Sequence, residues 1–260
     1  MGSGKKRLDL LLVERGLALS RERAKSLIMS GRVLVDDFPV DKPGTAVAAD
    51  AAIAVKGEDI PFVSRGGLKL EEGLEVFAVE VRDSTCLDVG ASTGGFTDCL
   101  LQRGARRVYA VDVGYGQLAW KLRQDPRVIA IERSNIRNLP ASAIPERVDM
   151  IAIDVSFISL RIVVPAVIKF AKPGAPLLAL IKPQFEVGRE KVGKGGVVRD
   201  AALHEAVIAE LTAYFTSIGL RFIGVTPSQI LGPKGNREFI ACLHCPDAPL
   251  TLPANPSVQV

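Results

Sequence analysis

The chain has 260 residues, of which 48% are hydrophobic and 24% charged, so it can bury a sizeable core and is neither disordered nor fibrous. This length fits one large domain, or one domain with a small module, at about 100–200 residues per domain. The net charge is only +4, but residues 1–32 contain eight basic and three acidic residues, a net charge of +5. The rest of the chain contains 25 basic and 26 acidic residues, so the positive charge is concentrated at the N-terminal end.

Membrane-spanning and metal-binding classes are not indicated. The longest hydrophobic stretch, over 162–181, is interrupted by Lys169, Lys172 and Pro173, whereas a membrane helix needs about 20 apolar residues. The segment Cys242-Leu243-His244-Cys245 has the spacing of half a zinc knuckle, but the chain has only two histidines, so we predict buried free thiols and no metal site. No signal peptide is indicated before the basic N-terminus, and we expect a cytoplasmic protein.

The N-terminal region, residues 5–57, has the pattern of a small α+β module. Leucines at helical spacing predict a first helix that ends near Gly16, and Ser20 is a candidate N-cap for a second helix over 21–30. Apolar runs separated by turn residues then predict short strands at 33–35, 38–40 and 52–55.

Residues 58–66 are predicted to form a linker, and residues 67–245 alternate between strand and helix patterns. This alternation is typical of an α/β fold with a mostly parallel sheet. Helices are predicted at 68–77, 95–102, 116–123, 158–170 and 201–217. Seven strands are predicted, of which the last two form an antiparallel hairpin: 85–89, 108–113, 128–132, 150–155, 177–181, 221–225 and 238–243. The proline-rich residues 246–260 are expected to be a flexible tail.

A glycine-rich loop follows the first strand of this sheet, where open α/β sheets bind cofactors. Its pattern is G-x-x-x-G-G, and not the G-x-G-x-x-G of dinucleotide-binding loops. An acid that ends the second strand can accept hydrogen bonds from both ribose hydroxyls of a nucleoside. The pattern therefore favours S-adenosylmethionine over NAD, although a turn that only packs a helix on a strand is the alternative. The predicted cofactor-binding residues are Asp88, Gly90, Ser92, Thr93, Gly94, Gly95, Phe96, Asp112 and Asp154.

A second glycine run, over 188–195, matches G-x-x-x-x-G-K but has Gly195 where a P-loop needs Ser or Thr. A mobile basic lid is the favoured interpretation, rather than a nucleotide-binding loop. The pair His204-Glu205 lacks the second histidine of a zinc-protease helix and is expected on an ordinary helix surface.

Charged residues stand at strand ends on the predicted cofactor side. Asp154 and Lys182 end two apolar strands, Glu238 begins the last strand, and Lys69 lies on the helix before the first. Such charges are costly to bury unless they are paired, so a structural ion pair is the alternative to a catalytic role.

The arrangement resembles the FtsJ-like ribose 2′-O-methyltransferases, whose catalytic residues run Lys, Asp, Lys, Glu in chain order. The similarity to one branch, the TlyA family, is closer still and covers about residues 5–245. The segments that carry this resemblance are Val63-Ser64-Arg65-Gly66-Gly67-Leu68-Lys69-Leu70, the glycine loop over 88–98, Asp154-Val155-Ser156-Phe157-Ile158-Ser159, Lys182-Pro183-Gln184-Phe185-Glu186 and Gly232-Pro233-Lys234-Gly235-Asn236-Arg237-Glu238.

The resemblance implies a Rossmann-like class I methyltransferase domain after an S4 RNA-binding domain. TlyA proteins, long described as haemolysins, are ribosomal RNA cytidine 2′-O-methyltransferases. The resemblance also implies that Lys182 is the general base and that Asp154, Lys69 and Glu238 orient it. The implied methyl donor is S-adenosylmethionine, and no metal is implied. The implied partner is ribosomal RNA within ribosomal subunits, and a monomer is favoured. The expected RNA contacts are Arg21, Arg23, Lys25, Arg32 and Arg65.

Three other functions stay open on the sequence alone. A membrane-active haemolysin is disfavoured because the basic helices have only a modest apolar stripe. A non-catalytic S4 RNA-binding protein is disfavoured by the intact set of four charged residues, and a small-molecule methyltransferase by the S4 module.

Overall fold

The computed structural model describes residues 4–18, 20–56 and 60–247, and these form two compact units. The described residues up to Pro61 belong to the first unit and those from Phe62 to the second. Of the expected linker over 58–66, residues 58 and 59 lie outside the described residues, and residues 62–66 pack within the second unit. Nearly all of the expected tail, residues 248–260, also lies outside the described residues.

The first unit packs two helices on two small antiparallel sheets. Its core is apolar and includes Leu12, Ile28 and Val33, each fully buried. Ser20 caps the second helix, as predicted, since its side chain accepts a hydrogen bond from the Arg23 N–H. The elements are β1 (Lys5–Arg7), α1 (Leu8–Glu14), α2 (Arg21–Met29), β2 (Val33–Val35), β3 (Phe38–Pro39), β4 (Ala46–Ala48) and β5 (Ile53–Val55); β1 pairs with β4, and β2 lies between β3 and β5.

Asp9 is a fully buried carboxylate near the start of α1, and it links this end of α1 to the start of α2. Its Oδ1 accepts from Arg7 Nε at 3.0 Å, and its Oδ2 accepts from Arg21 Nε at 2.9 Å. The hydrogen bond from Arg7 is the largest cause that holds the pKa of Asp9 well below its usual range, with Arg21 acting in the same direction. Arg21 is therefore part of the internal structure of this unit as well as an exposed cation.

We expect Asp9→Asn to destabilise the first unit by about 1.5–3 kcal/mol, because charge-assisted hydrogen bonds are removed at a buried site. Since the folded-state pKa of Asp9 is depressed, its contribution is present at neutral pH and is lost as the pH falls below the unfolded-state value. Amide hydrogen exchange in α1 and α2 at several pH values measures both effects. Glu14→Gln, which breaks an exposed ion pair with Lys6 in the same unit, is the matched control. Equal protection of α1 and α2 in the Asp9 and Glu14 variants would contradict this role.

The second unit is built around a seven-stranded sheet of order β11-β12-β10-β9-β6-β7-β8, in which β12 runs antiparallel to both its neighbours and the other pairs are parallel. This agrees with the predicted sheet. The strands are β6 (Thr85–Val89), β7 (Arg107–Val111), β8 (Val128–Ile131), β9 (Met150–Ile153), β10 (Pro176–Ile181), β11 (Arg221–Pro227) and β12 (Phe239–His244).

Helices cover both faces of this sheet, which gives two apolar clusters. The helices are α3 (Gly66–Val76), α4 (Gly95–Gln102), α5 (Trp120–Arg123), α6 (Leu160–Ile168) and α7 (Ala201–Ser217). Residues of α3, α4 and α5 pack on one face with Cys86 and Leu178, and residues of α6 and α7 pack on the other with Leu87 and Ala179. Successive strand residues alternate between the two clusters, as the pleat requires. All four cysteines are buried and free, as predicted.

Some sequence predictions were wrong. The predicted helix over 116–123 forms only at α5, because Gly116 adopts a left-handed φ of +71° and belongs to a loop. The strands β1 and β4 were missed, since Lys5–Arg7 is charged and wholly exposed and has no apolar alternation. His204 does not lie on an open helix surface: it is buried, and its Nε2 lies 2.9 Å from the Val198 carbonyl oxygen.

Candidate active site

The carboxyl ends of β6, β7 and β9 open into a cleft, where the chain order of the sheet reverses. Two cavities, of about 570 Å³ and about 260 Å³, lie in this cleft. Both are lined by Gly90, Ser92 and Asp154, so they are adjoining parts of one site. Open α/β sheets bind ligands at this position.

The residues of the predicted cofactor loop have two roles: some line the cleft, and others pack within the fold. Gly90 faces the cleft, has a φ of +87°, and a Cβ there would lie 2.3 Å from the Asp154 carbonyl oxygen. Thr93, Gly95 and Phe96 line the smaller cavity. Gly94 lines neither of the two cavities. It is the N-cap of α4 and has a φ of +95°, and a Cβ there would meet side chains of α5 and of the loop before α5. The loop therefore needs glycine at Gly90 for space at the cleft and at Gly94 for packing.

Asp112 projects from the end of β7 into the larger cavity. Its two oxygens accept backbone N–H groups, Oδ2 from Ser92 at 2.7 Å and Oδ1 from Gly114 at 2.6 Å. These bonds fix the carboxylate at the cavity wall. The walls around it include the apolar side chains of Val111 and Ile136.

Asp88 lies behind the glycine loop and lines neither of these cavities, in contrast to its predicted place among the cofactor contacts. It is fully buried, and its Oδ2 accepts from Thr97 Oγ1 at 2.6 Å. Burial is the largest cause that raises the pKa of Asp88 to about 7, and the charge of Asp154 acts in the same direction. Asp88 therefore binds α4, the helix that directly follows the loop, through Thr97.

The four charged residues predicted at strand ends meet as two ion pairs. Lys182 Nζ lies 2.5 Å from Asp154 Oδ1, and Lys69 Nζ lies 2.5 Å from Glu238 Oε2. Lys69, Lys182 and Glu238 are buried, whereas the Asp154 side chain is 23% exposed. All four line the smaller cavity.

Neighbouring residues fix these side chains. Lys182 Nζ also donates to Ser156 Oγ at 3.1 Å, so a second contact besides Asp154 fixes the orientation of its ammonium group. A Cβ at Gly232 would lie 1.9 Å from Glu238 Oε1, so only glycine leaves room for the Glu238 carboxylate there. The other oxygen of Glu238 is the one that binds Lys69.

The predicted RNA-contacting residues differ in how much of their side chain is already engaged. Arg21 binds Asp9, and Arg32 Nε donates to the Lys56 carbonyl oxygen at 2.7 Å. Arg23 and Lys25 are half-buried on α2. Lys25 makes no hydrogen bond or ion pair with any part of the chain that the structure describes. Of the four predicted RNA contacts in the first unit, it is therefore the one whose substitution tests RNA binding with the least effect on internal contacts.

Arg65, the fifth expected RNA contact, belongs to the second unit. It directly precedes α3 and lines the smaller cavity beside Lys69.

Phe157 is a site residue to which the sequence alone assigns no role. Its side chain is 90% exposed, its φ is +63°, and its ring centroid lies 4.9 Å from that of Phe185. A left-handed backbone costs a non-glycine residue about 1–2 kcal/mol, and such strain clusters at functional sites. Phe157 lines the larger cavity, three residues after Asp154, so it offers an open aromatic face at the mouth of the site. The exposure of this ring could not be predicted from the sequence, because a phenylalanine between Ser156 and Ile158 has no local signal that distinguishes an exposed ring from a buried one.

Among the residues that the structure describes, no helix combines the length and the apolar character needed to cross a membrane. The glycine loop and the seven-stranded sheet with one reversed strand define a class I methyltransferase fold.

Comparisons with known proteins agree with this class. The FtsJ-like methyltransferase profile matches residues 62–245, and the S4 domain profile matches residues 6–53. A Bacillus subtilis protein named "Putative rRNA methyltransferase YqxC" is 51% identical over 95% of this chain and 88% of its own length. The Mycobacterium tuberculosis "16S/23S rRNA (cytidine-2'-O)-methyltransferase TlyA" is 48% identical over 92% of this chain and 89% of its own.

A solved structure titled "Putative hemolysin from Streptococcus thermophilus" is also similar. It has a TM-score of 0.74 and 45% identity, and the match covers 95% of this chain and 90% of that one. The chain belongs to the TlyA family of FtsJ-like methyltransferases.

Proposed function

We propose that the protein transfers a methyl group from S-adenosylmethionine to the ribose 2′-hydroxyl of a cytidine in ribosomal RNA. The observation that carries this proposal is the Lys182–Asp154 pair, which lies where the two cavities adjoin. We assign RNA binding to residues 5–57 and catalysis to residues 67–245. We further propose that the enzyme acts in the cytoplasm, where ribosomal subunits are found, and that it is a monomer.

The larger cavity fits the nucleoside part of S-adenosylmethionine. Asp112 is positioned to accept hydrogen bonds from both ribose hydroxyls, and the apolar walls suit an adenine ring. Gly90 leaves room for a ligand to pass close to the backbone between the two cavities. When bound there, S-adenosylmethionine supplies an electrophilic methyl group carried on a sulfonium.

Lys182 in its neutral amine form accepts the proton of the 2′-hydroxyl. The hydroxyl oxygen loses this proton as it attacks the methyl group, which S-adenosylmethionine held by Asp112 and the glycine loop would supply, with the neutral thioether as leaving group. Asp154 and Ser156 fix the direction of Nζ, and positioning of two substrates in one cleft supplies a large part of the rate. Lys69 and Glu238, which line the same cavity, orient the ribose.

The exposed ring of Phe157 gives the target base a face on which to stack. Bases that leave an RNA stack are held by aromatic side chains, at about 1–3 kcal/mol per base. This role would place the base at the mouth of the cleft and its ribose towards Lys182.

The direct test is methyl transfer from tritiated S-adenosylmethionine to ribosomal subunits from a strain that lacks this gene, followed by mapping of 2′-O-methylated positions. We expect a new 2′-O-methylcytidine at a defined site. Absence of transfer, together with leakage of dye from liposomes, would instead support a membrane-active haemolysin. Binding of subunits without transfer would support a non-catalytic S4 protein.

Gly90→Ala is expected to lower S-adenosylmethionine affinity by more than tenfold, because its Cβ would press on the Asp154 backbone at the cleft. Gly116→Ala is a matched control: Gly116 has a similar positive φ, +71°, but nothing lies within 4 Å of its Cβ position. Both variants should lose about 1–2 kcal/mol of stability from the left-handed backbone alone. Calorimetric titration with S-adenosylmethionine measures the difference, and equal affinities in the two variants would refute this placement of the cofactor.

A further inference from the structure

Two loops next to the paired lysines carry a concentration of positive charge. Residues 188–199 follow β10 and Lys182, and residues 232–237 lead into Glu238 and β12. Together these loops, which we call the basic rim, contain six basic residues and a single acid, Glu190. All six basic residues are exposed: Arg189, Lys191, Lys194, Arg199, Lys234 and Arg237.

The charges of the basic rim are unpaired, whereas most of the basic residues elsewhere in the second unit take part in ion pairs. Within the described residues, none of the six side chains makes a hydrogen bond or an ion pair. Elsewhere in this unit, ten basic residues of the described chain form ion pairs with acids: Lys69, Arg103, Arg106, Arg107, Lys121, Arg123, Arg127, Arg161, Lys172 and Lys182. Without the rim, the chain after residue 32 contains 19 basic and 25 acidic residues, a net charge of −6, so the basic rim stands out against an acidic background.

Asn236 joins the two loops of the rim into one surface. This residue is 3% exposed; its Oδ1 accepts from the Val198 N–H at 3.1 Å and its Nδ2 donates to the Gly196 carbonyl oxygen at 3.0 Å. The Cβ position of Gly196 is 3.8 Å from Lys234 Nζ, so this lysine lies against the other loop. The like charges are thus held together by neutral contacts, without an ion pair to any acid of the described chain. A polyanion bound across both loops would relieve this repulsion.

The basic rim is also close in sequence to the proposed reacting groups. Residue 188 is six residues beyond Lys182, and Arg237 directly precedes Glu238. We propose that the basic rim binds phosphates of the RNA strand on either side of the target nucleotide and so seats that nucleotide in the cleft. This inference rests on the proposed function and adds to it a second RNA-binding surface, on the catalytic unit itself.

An RNA backbone fits the rim better than a bound nucleotide. The run over 188–195 lacks the hydroxyl residue that a P-loop needs for magnesium, because Gly195 stands in its place. Lysines and arginines spread over two loops provide several point charges along a path, which suits successive phosphates of a strand. Such contacts carry little sequence information but strengthen and position binding.

The test compares the full-length Lys194→Gln/Lys234→Gln variant with Arg82→Gln/Arg147→Gln. The control residues are exposed and precede β6 and β9, at the opposite edge of the sheet, and both variants lower the net charge by two. For each protein we would measure steady-state methyl transfer to ribosomal subunits, the Kd for subunits at several salt concentrations, and the Kd for S-adenosylmethionine.

We expect the rim variant to show an RNA KM and Kd about tenfold higher, with kcat within twofold of the original protein. The slope of log Kd against log salt should fall by about 0.7–0.9 for each phosphate that the variant no longer neutralises. The control variant should match the original protein in all three measurements. Equal effects in both variants would reduce the result to net charge and overturn the proposal, as would an unchanged rim variant or a loss of S-adenosylmethionine affinity. If the unsubstituted protein itself transfers no methyl group, the proposed function fails, and the rim proposal falls with it.

Discussion

Lys182→Ala is expected to lower the rate constant of methyl transfer about 10³-fold or more, while affinity for RNA changes little. The reason is that a ribose hydroxyl must lose its proton as it attacks, and general bases contribute about 10²–10⁴-fold to such steps. Lys182 is the buried amine that lines the smaller cavity beside Asp154, which lines both cavities, and Asp154 and Ser156 hold its Nζ. Removal of the amine leaves the cofactor cavity and the RNA-binding surfaces in place.

Lys182→Arg separates proton transfer from charge. An arginine can keep an ion pair with Asp154, but it stays protonated and cannot act as a base. We therefore expect this variant to be nearly as inactive as Lys182→Ala. Lys172→Ala, which removes an exposed lysine at the other end of β10, is the matched control and should retain most activity. Single-turnover transfer of tritiated methyl groups measures all three. Activity of Lys182→Arg near that of the original protein would mean that Lys182 acts by its charge alone.

The position of these charged residues was predictable because it follows from strand topology. Asp154 and Lys182 each follow an apolar run, and parallel strands bring their carboxyl ends to one edge of the sheet. Their pairing was not predictable in this way. Glu238 lies 169 residues beyond Lys69, and nothing local in the sequence shows that these two meet and leave Lys182 to Asp154.

Side-chain direction also limits what the sequence predicts. Asp88 was expected at the cofactor because it opens the glycine loop, yet the pleat of β6 turns its carboxyl towards α4 and Thr97. The same limit applies to Arg21, whose position on the exposed side of α2 gave no sign of the buried Asp9 one helix away. In both cases the element was predicted, and the partner across the packing interface was not.

Asn236 shows the same limit at the active site. In the sequence it is one polar residue in a turn-like segment that also contains Gly232 and Gly235. In the fold its buried amide binds the loop that contains Gly196 and Val198, forty and thirty-eight residues earlier. The two loops of the basic rim are thus distant in sequence, and only the fold shows that they form one surface.

The Lys69–Glu238 pair is expected to show the largest effect on stability. Lys69→Met and Glu238→Gln should each cost about 3–5 kcal/mol, because each leaves an uncompensated buried charge. Lys69 is 7% exposed and Glu238 is 0% exposed, so water cannot readily replace the missing partner. Glu210→Gln, which breaks an exposed pair with Arg161, should cost less than about 1 kcal/mol and serves as the control. Denaturant unfolding of the full chain measures these differences.

The double variant Lys69→Met/Glu238→Gln then separates folding from function. Since a buried ion pair is often replaced by neutral residues at little net cost, we expect most of the missing stability to return. Methyl transfer should nevertheless stay at least about 100-fold reduced, because the two charges that orient the ribose are absent. A double variant that regains both stability and full kcat would show that the pair only supports the fold. A stable double variant without activity, with S-adenosylmethionine affinity unchanged, would place the defect at the ribose, beside Lys69 and Glu238 in the smaller cavity.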